Sequence, residues 1–159
     1  MVGDREITTH LTTDEEAIMK TTQVTHKTTT KTPVKTFRDL RTWQSAYDLA
    51  VAVYRQCETF PKHEQYGLVS QMTRAAVSVC SNIAEGFGRR TYKEKDQFFG
   101  HAHGSLTELE NQLLIARGVG YINTAQYEDL ARRSDSTHWM LLKLQKINRE
   151  WAAAKELKS

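Results

Sequence analysis

Cysteine is scarce in this sequence and long apolar runs are missing, and each shortage excludes a class of protein. The two cysteines among the 159 residues, Cys57 and Cys80, are not spaced like metal ligands, so we expect buried free thiols. No apolar run approaches the roughly 18 residues that a membrane-spanning helix needs. The first ten residues have neither a basic start nor an apolar stretch, so we expect no signal peptide and a cytoplasmic protein without a membrane partner.

Two further patterns are missing. No segment sustains the alternation of apolar and polar residues that is typical of a β-strand. The stretch SNIAEGFGRR at residues 81–90 holds two glycines, yet a helical pattern precedes them and the Gly-Lys-Ser or Gly-Lys-Thr ending of a phosphate-binding loop is absent. We therefore expect Gly86 and Gly88 to end a helix, where glycine readily adopts left-handed backbone.

The first 36 residues differ in composition from the rest of the chain. They contain twelve threonines and few large apolar residues, without a sustained period. Such a segment cannot bury enough apolar surface to offset the entropy that is lost on ordering. We predict a disordered tail over residues 1–36.

From Phe37 onward, apolar residues recur at helical spacing in four successive stripes. Thr91 with Glu94, and Asn123 with Gln126, have the spacing of capping boxes, which begin helices. Short links between four amphipathic helices favour antiparallel packing, so we predict an all-α protein with an up-down-up-down antiparallel four-helix bundle over residues 37–155. The predicted helices span residues 42–59, 66–87, 91–118 and 123–153.

The net charge of +3 belongs entirely to the region after the tail, because residues 1–35 hold five basic and five acidic residues. In an up-down bundle, the starts of the first and third helices share one end with the ends of the second and fourth. An excess of basic residues there favours RNA or DNA as a ligand, although an ordinary solvated surface is the competing interpretation. We call the candidate phosphate-contacting residues at this end the basic pole: Arg38, Arg41, Arg89, Arg90, Lys93, Lys146 and Arg149.

The polar residues do not form a pattern that is typical of an active site. Glu85 and Glu108 could face each other, but no nucleophile or set of metal ligands accompanies them. His101 and His103 are two residues apart on a predicted helix, so they point about 200° apart and cannot chelate one ion. We expect no catalytic residue, no metal site, no cofactor and no enzymatic activity.

Gly100 and Gly104 lie four residues apart on the predicted third helix, where each glycine costs roughly 1 kcal/mol relative to alanine. They would let another helix approach closely, either from a neighbouring subunit or from the same chain. Trp139 falls beside the fourth apolar stripe rather than on it. We therefore assign Gly100, Gly104 and Trp139 to a candidate oligomer interface.

Three stretches together resemble one protein family. They are FRDLRTWQSAYDLA at Phe37–Ala50, YGLVSQMTRAAVSVCSNIAEGFGRR at Tyr66–Arg90 and GSLTELENQLLIARGVGYI at Gly104–Ile122. In order and spacing they are similar to the small four-helix-bundle proteins that are encoded by intervening sequences of large-subunit ribosomal RNA genes. Cys80, where relatives often have proline or a small residue, and the threonine-rich tail depart from the family pattern.

The resemblance implies a homo-oligomer, with a pentameric ring as the expected form, and no enzymatic activity. Accessory proteins of diversity-generating retroelements look similar in fold, and they bind a reverse transcriptase and nucleic acid. Three functions are therefore compatible with the sequence. The first is a non-catalytic scaffold that binds RNA or DNA through the basic pole, the second is an adaptor that docks a reverse transcriptase, and the third is a structural protein of an rRNA intervening sequence without a defined activity.

Overall fold

The computed structural model describes residues 34–157, and every regular element in that range is helical. The predicted disordered tail lies outside the described residues except for its last three positions. Two short 3₁₀ turns, Phe37–Asp39 and Lys62–Tyr66, precede the first and second long helices. The four long helices are α1 (Arg41–Cys57), α2 (Leu68–Gly88), α3 (Tyr92–Gly118) and α4 (Thr124–Glu156).

The helices pack as the antiparallel bundle that the sequence predicts. α2 contacts α1 and α3, α4 contacts α3 and α1, and within residues 34–157 the diagonal pairs make no close backbone contact. Because consecutive helices are neighbours and their links are short, the chain runs up-down-up-down. The all-α bundle prediction is confirmed for this part of the chain.

Both predicted capping boxes begin helices in the structure. The Glu94 backbone N–H donates to Thr91 Oγ1 and the Thr91 N–H donates to Glu94 Oε2, each at 3.2 Å. The pair of Asn123 and Gln126 repeats this reciprocal arrangement before α4, at 2.9 and 2.8 Å. Hydrogen bonds from Thr91 lower the pKa of Glu94, so this carboxylate stays charged beside the positive N-terminus of α3.

The interior of the bundle is built from the apolar stripes of all four helices. Burial of each large side chain stabilises the fold by roughly 1.5–3 kcal/mol. Trp151 continues the fourth apolar stripe of the sequence, yet its side chain is 61% exposed. The largest fully buried apolar side chains are Leu49, Val53, Met72, Val79, Ile83, Leu106, Leu109, Leu113 and Leu141.

α1 begins well short of the end of the bundle at which α4 terminates. Thr42 Oγ1 donates to Met140 O at 3.4 Å, which places the first turn of α1 beside that residue of α4. Asn148 Nδ2 donates to Tyr92 O at 2.8 Å, so the first turn of α3 lies beside residue 148. The start of α1 is therefore set back by roughly eight residues, or about 12 Å at 1.5 Å per residue. Beyond that level α4 has no α1 beside it, which explains the exposure of Trp151.

Helix α2 ends at Gly88, as the sequence predicts, but not through left-handed backbone. Neither Gly86 nor Gly88 has a positive φ, and within residues 34–157 only Gly120 does, at 81°. α2 instead ends where Arg89 takes extended backbone, with φ −70° and ψ 151°. Gly86 is buried where α2 crosses α3, and a Cβ atom there would approach Phe99 Cε1 to 2.7 Å. The expectation of left-handed backbone at these two glycines is wrong, because the constraint on Gly86 is space and not conformation.

Candidate nucleic-acid interface

The end of α2, the start of α3 and the end of α4 meet at one end of the bundle. Lys95 Nζ donates to Phe87 O at 2.6 Å, which joins α3 to the last turn of α2. The hydrogen bond from Asn148 to Tyr92 joins α3 to α4 nearby. Arg41, at the start of α1, lies about 12 Å further down the bundle. The structure therefore brings the basic-pole residues of α2, α3 and α4 together and places the start of α1 on the flank of this end.

Three of the seven basic-pole residues are engaged by carboxylates of the same chain. Arg149 forms a bidentate pair with Asp96, in which Nε lies 3.0 Å from Oδ1 and Nη2 lies 3.0 Å from Oδ2. Hydrogen bonds to Asp96 raise the pKa of Arg149, and the pairing neutralises part of its field. The other two pairs are Arg89 with Glu85 at 3.3 Å and Lys146 with Glu150 at 3.9 Å.

The other four basic-pole residues are exposed and have no carboxylate partner. In the described part of the chain, no carboxylate oxygen lies within 4.0 Å of their charged nitrogens. The Arg38 guanidinium carbon lies 5.2 Å from the centroid of the Phe37 ring, so its charge stays at the surface. We call these residues the four unpaired cations: Arg38, Arg41, Arg90 and Lys93.

The sequence did not indicate the structural role of Lys95. Its ammonium group donates to Phe87 O and lies 5.6 Å from the centroid of the Phe87 ring. Burial lowers the pKa of this ammonium group. A cation at a helix C-terminus satisfies a carbonyl that has no partner inside its own helix. Lys95 therefore stabilises the contact between α3 and the end of α2. No local sequence pattern distinguishes it from the neighbouring surface lysines.

Gly100, Gly104 and Trp139 lie on one surface, which α3 and α4 form together. The rings of His103 and His138 contact each other across the two helices, with centroids 4.6 Å apart, and bring Trp139 close to the level of the glycines. A Cβ atom at either glycine would meet nothing within 4 Å, so neither serves a close contact inside the described chain. Trp139 is 73% exposed. We call this surface the α3–α4 face, and its assignment to an oligomer interface stays a prediction.

The carboxylates that could have faced each other have separate partners. Glu85 accepts a hydrogen bond from Arg89 at 3.3 Å, and Glu108 accepts one from Gln112 at 3.0 Å. Among residues 34–157, no three His, Cys, Asp or Glu side chains are grouped so as to hold a metal ion. No helix in that range combines the length and apolar character that crossing a bilayer requires.

Both cysteines are free thiols, as the sequence predicts. Cys57 is buried and Cys80 is partly buried against the core. Burial raises the pKa of each thiol to about 11. Because the thiolate is the reactive form, both side chains are poor nucleophiles and metal ligands at neutral pH.

The geometry defines a class of protein, an antiparallel helical bundle that gathers arginine and lysine side chains at one end. The model of the family described as "23S rRNA-intervening sequence protein" matches residues 38–143. Since this match covers more than half of the chain, the chain belongs to that family. The resemblance drawn from the sequence motifs is confirmed.

A solved structure supports the same fold. It is the crystal structure of a protein of unknown function from the S23 ribosomal protein family of Bacteroides thetaiotaomicron, with a TM-score of 0.62 and 19% sequence identity. The similarity covers 66% of this chain and 95% of that one. At this level of identity the likeness shows the fold alone. No curated protein matches the chain.

Proposed function

We propose that this protein is a non-catalytic, homo-oligomeric scaffold of the cytoplasm that binds RNA or DNA through the basic pole. The observation that carries the proposal is the presence of the four unpaired cations at and beside one end of the bundle. Such cations favour binding to a phosphate backbone, because each phosphate that they neutralise releases its counterions. Family membership makes ribosomal RNA the first polymer to test, since the coding sequences of this family interrupt 23S rRNA genes.

The scaffold would act as an oligomer, for which a pentameric ring is the expected form. A ring repeats the basic pole in several copies, and multivalent contact raises avidity without any new type of interaction. The α3–α4 face offers a surface for assembly, because the exposed Trp139 lies beside helical glycines that add no bulk. Tryptophan is among the residues that contribute most to binding energy at protein interfaces.

Charge reversal at the basic pole tests the proposal. Lys93→Glu, alone and combined with Arg90→Glu, should weaken the binding of a short labelled RNA. It should also flatten the dependence of log K on log salt concentration, by about 0.7 for each lost contact to a single strand. Fluorescence anisotropy over a series of salt concentrations measures both quantities.

Lys62→Glu is the matched control for Lys93→Glu. Lys62 is an exposed lysine in the turn before α2, at the opposite end of the bundle. The substitution makes the same change in net charge but should leave the salt dependence nearly unchanged. Equal effects of the two substitutions, or an affinity that does not depend on salt, would contradict binding at the basic pole.

A second candidate function is an adaptor that docks a reverse transcriptase, and the exposed apolar side chains of the α3–α4 face favour it. Trp139 and Leu142 are 73% and 38% exposed there.

Charge reversal of Arg89 and Arg90 separates the two functions. Loss of nucleic-acid binding supports the scaffold, whereas retained binding together with lost capture of the polymerase supports the adaptor. Binding to neither would correspond to a structural protein of the intervening sequence without a defined activity.

A further inference from the structure

Four aromatic side chains follow one side of α1, starting at the flank of the basic pole. Phe37 meets Trp43 edge to face, with ring centroids 5.0 Å apart, and Trp43 stacks on Tyr47 at 5.4 Å with an interplanar angle of 22°. Tyr54 comes seven residues after Tyr47, about two turns further along the same side of the helix. We call Phe37, Trp43, Tyr47 and Tyr54 the aromatic row.

The outer part of the aromatic row is open to solvent. Tyr47 is 51% exposed and Tyr54 is 50% exposed, whereas Leu49 between them is 1% exposed. Neither tyrosine hydroxyl group hydrogen-bonds another residue within 34–157. Apart from the stacking of Trp43 on Tyr47, no ring contact or hydrogen bond inside residues 34–157 accounts for these two large aromatic groups at the surface.

Positive charge lies at the pole end of the aromatic row. The Arg38 guanidinium carbon lies 5.2 Å from the centroid of the Phe37 ring, whereas Arg41, which begins α1, lies about 160° around that helix from Trp43. The carboxylate of Asp39 accepts hydrogen bonds from the Lys35 and Thr36 N–H groups at 2.9 and 2.8 Å. The row therefore combines stacked aromatic rings with one of the four unpaired cations, Arg38, at its pole end.

We propose that the aromatic row stacks on the bases of a single-stranded nucleic acid while Arg38 contacts a phosphate at the pole end of the row. Proteins that bind single strands combine a positively charged track with aromatic side chains on which successive bases stack. The bases of a duplex are already stacked on each other. The exposed tyrosines therefore cannot stack on them unless the two strands separate. The inference rests on the proposed function and narrows the ligand from any nucleic acid to an unpaired strand.

Tyr47→Ala combined with Tyr54→Ala tests the aromatic row in the full chain. The probes are a labelled RNA strand of mixed sequence without self-complementarity, and the duplex that this strand forms with its complement. We expect the wild-type protein to bind the strand more tightly than the duplex. We expect the double variant to lose at least about tenfold in affinity for the strand and to keep its affinity for the duplex, because stacking contributes strongly at each base.

Tyr47→Phe combined with Tyr54→Phe is the matched control, because it keeps both aromatic rings and removes only the hydroxyl groups, which hydrogen-bond no residue within 34–157. Because the rings remain available for stacking, this variant should change neither affinity. Thermal unfolding of each variant verifies that the fold is retained.

The other outcomes distinguish the inference from the proposed function. If the double variant binds the strand as tightly as the wild-type protein, or if the wild-type protein binds strand and duplex equally, the aromatic row is not a platform for bases and the proposed function survives. If the wild-type protein binds neither probe at low salt, the proposed function itself fails. A double variant with an altered native mass would show that the row packs between copies of the chain, which also overturns the inference.

Discussion

Gly86 lies where α2 crosses α3, and the absence of a side chain sets the distance between the two helices. A Cβ atom there would come within 2.7 Å of Phe99 Cε1 and 3.1 Å of Phe98 Cβ. Phe99 is 3% exposed, so its ring has little space into which it could move. At the scale of the residue, this glycine is required for packing rather than for a turn.

Gly86→Ala should therefore destabilise the protein by about 1 kcal/mol or more, even after a gain in helix propensity of about 1 kcal/mol. Gly88→Ala is the matched control in the same helix. No atom lies within 4 Å of a Cβ at Gly88, and its φ is not positive, so alanine should be tolerated there. Urea unfolding measures both changes, and a Gly86→Ala protein as stable as the Gly88→Ala protein would contradict the close approach.

The charges of single residues were predictable, but their partners on other helices were not. The sequence places Arg149 near the end of the last helix and Asp96 near the start of the third, and nothing local relates residues 53 positions apart. The bidentate pair forms because the register of α3 against α4 brings the two side chains to the same level. The distinction between Arg149 and the unpaired Arg90 is therefore a tertiary property.

At the scale of the element, the starts of helices were predictable because local signals mark them. α3 begins at Tyr92 after the Thr91 cap, and α4 begins at Thr124 after the Asn123 cap. The end of α4 was less well defined, since the predicted boundary at residue 153 falls short of the observed Glu156. Neither glycine nor proline occurs in residues 157–159, where a stop signal for this helix would stand.

The end of α2 depends on a residue of the next helix. Lys95→Met removes the ammonium group that donates to Phe87 O but keeps the apolar stem of the side chain. We expect a loss of about 1 kcal/mol of stability, less than the full contribution of a charged hydrogen bond because the site is only partly buried. The change in Tm reports this loss.

Lys93→Met is the control for that substitution. Lys93 lies two residues earlier in the same helix, is exposed and has no carboxylate partner in the described residues. Its replacement should alter stability by no more than about 0.5 kcal/mol. Equal changes in Tm for the two variants would show that the Lys95 hydrogen bond contributes nothing to the joint between α2 and α3.

At the scale of the whole molecule, the set-back of α1 makes the two ends of the bundle different. The basic-pole residues of α2, α3 and α4 lie at one end of the bundle, while Arg41 and the aromatic row lie on the flank of that end. The α3–α4 face is a separate surface, which carries Trp139 and the helical glycines. The proposed nucleic-acid site and the proposed oligomer interface therefore lie on different surfaces of one protomer.

Trp139→Glu should reduce the native mass of the proposed oligomer to that of a single chain. Truncation of a tryptophan at the centre of an interface commonly costs about 2 kcal/mol or more, and a buried carboxylate adds to that cost. Trp151→Glu is the matched control, because Trp151 is also exposed but lies about 120° around the same helix. Light scattering after size-exclusion chromatography measures the mass. A wild-type protein that is already a single chain, or a Trp139→Glu protein of unchanged mass, would contradict assembly through the α3–α4 face.

By itself the sequence determined the number, order and approximate bounds of the helices, the antiparallel bundle and the family. These properties follow from periodicity, caps and motifs, which act over a few residues. The tertiary structure alone decided the set-back of α1, the crowding at Gly86 and which basic residues remain unpaired. The physical reason is that helix register depends on how all the core side chains fit together. A shift of one turn would separate pairs between helices, such as Arg149 with Asp96, without changing any local pattern.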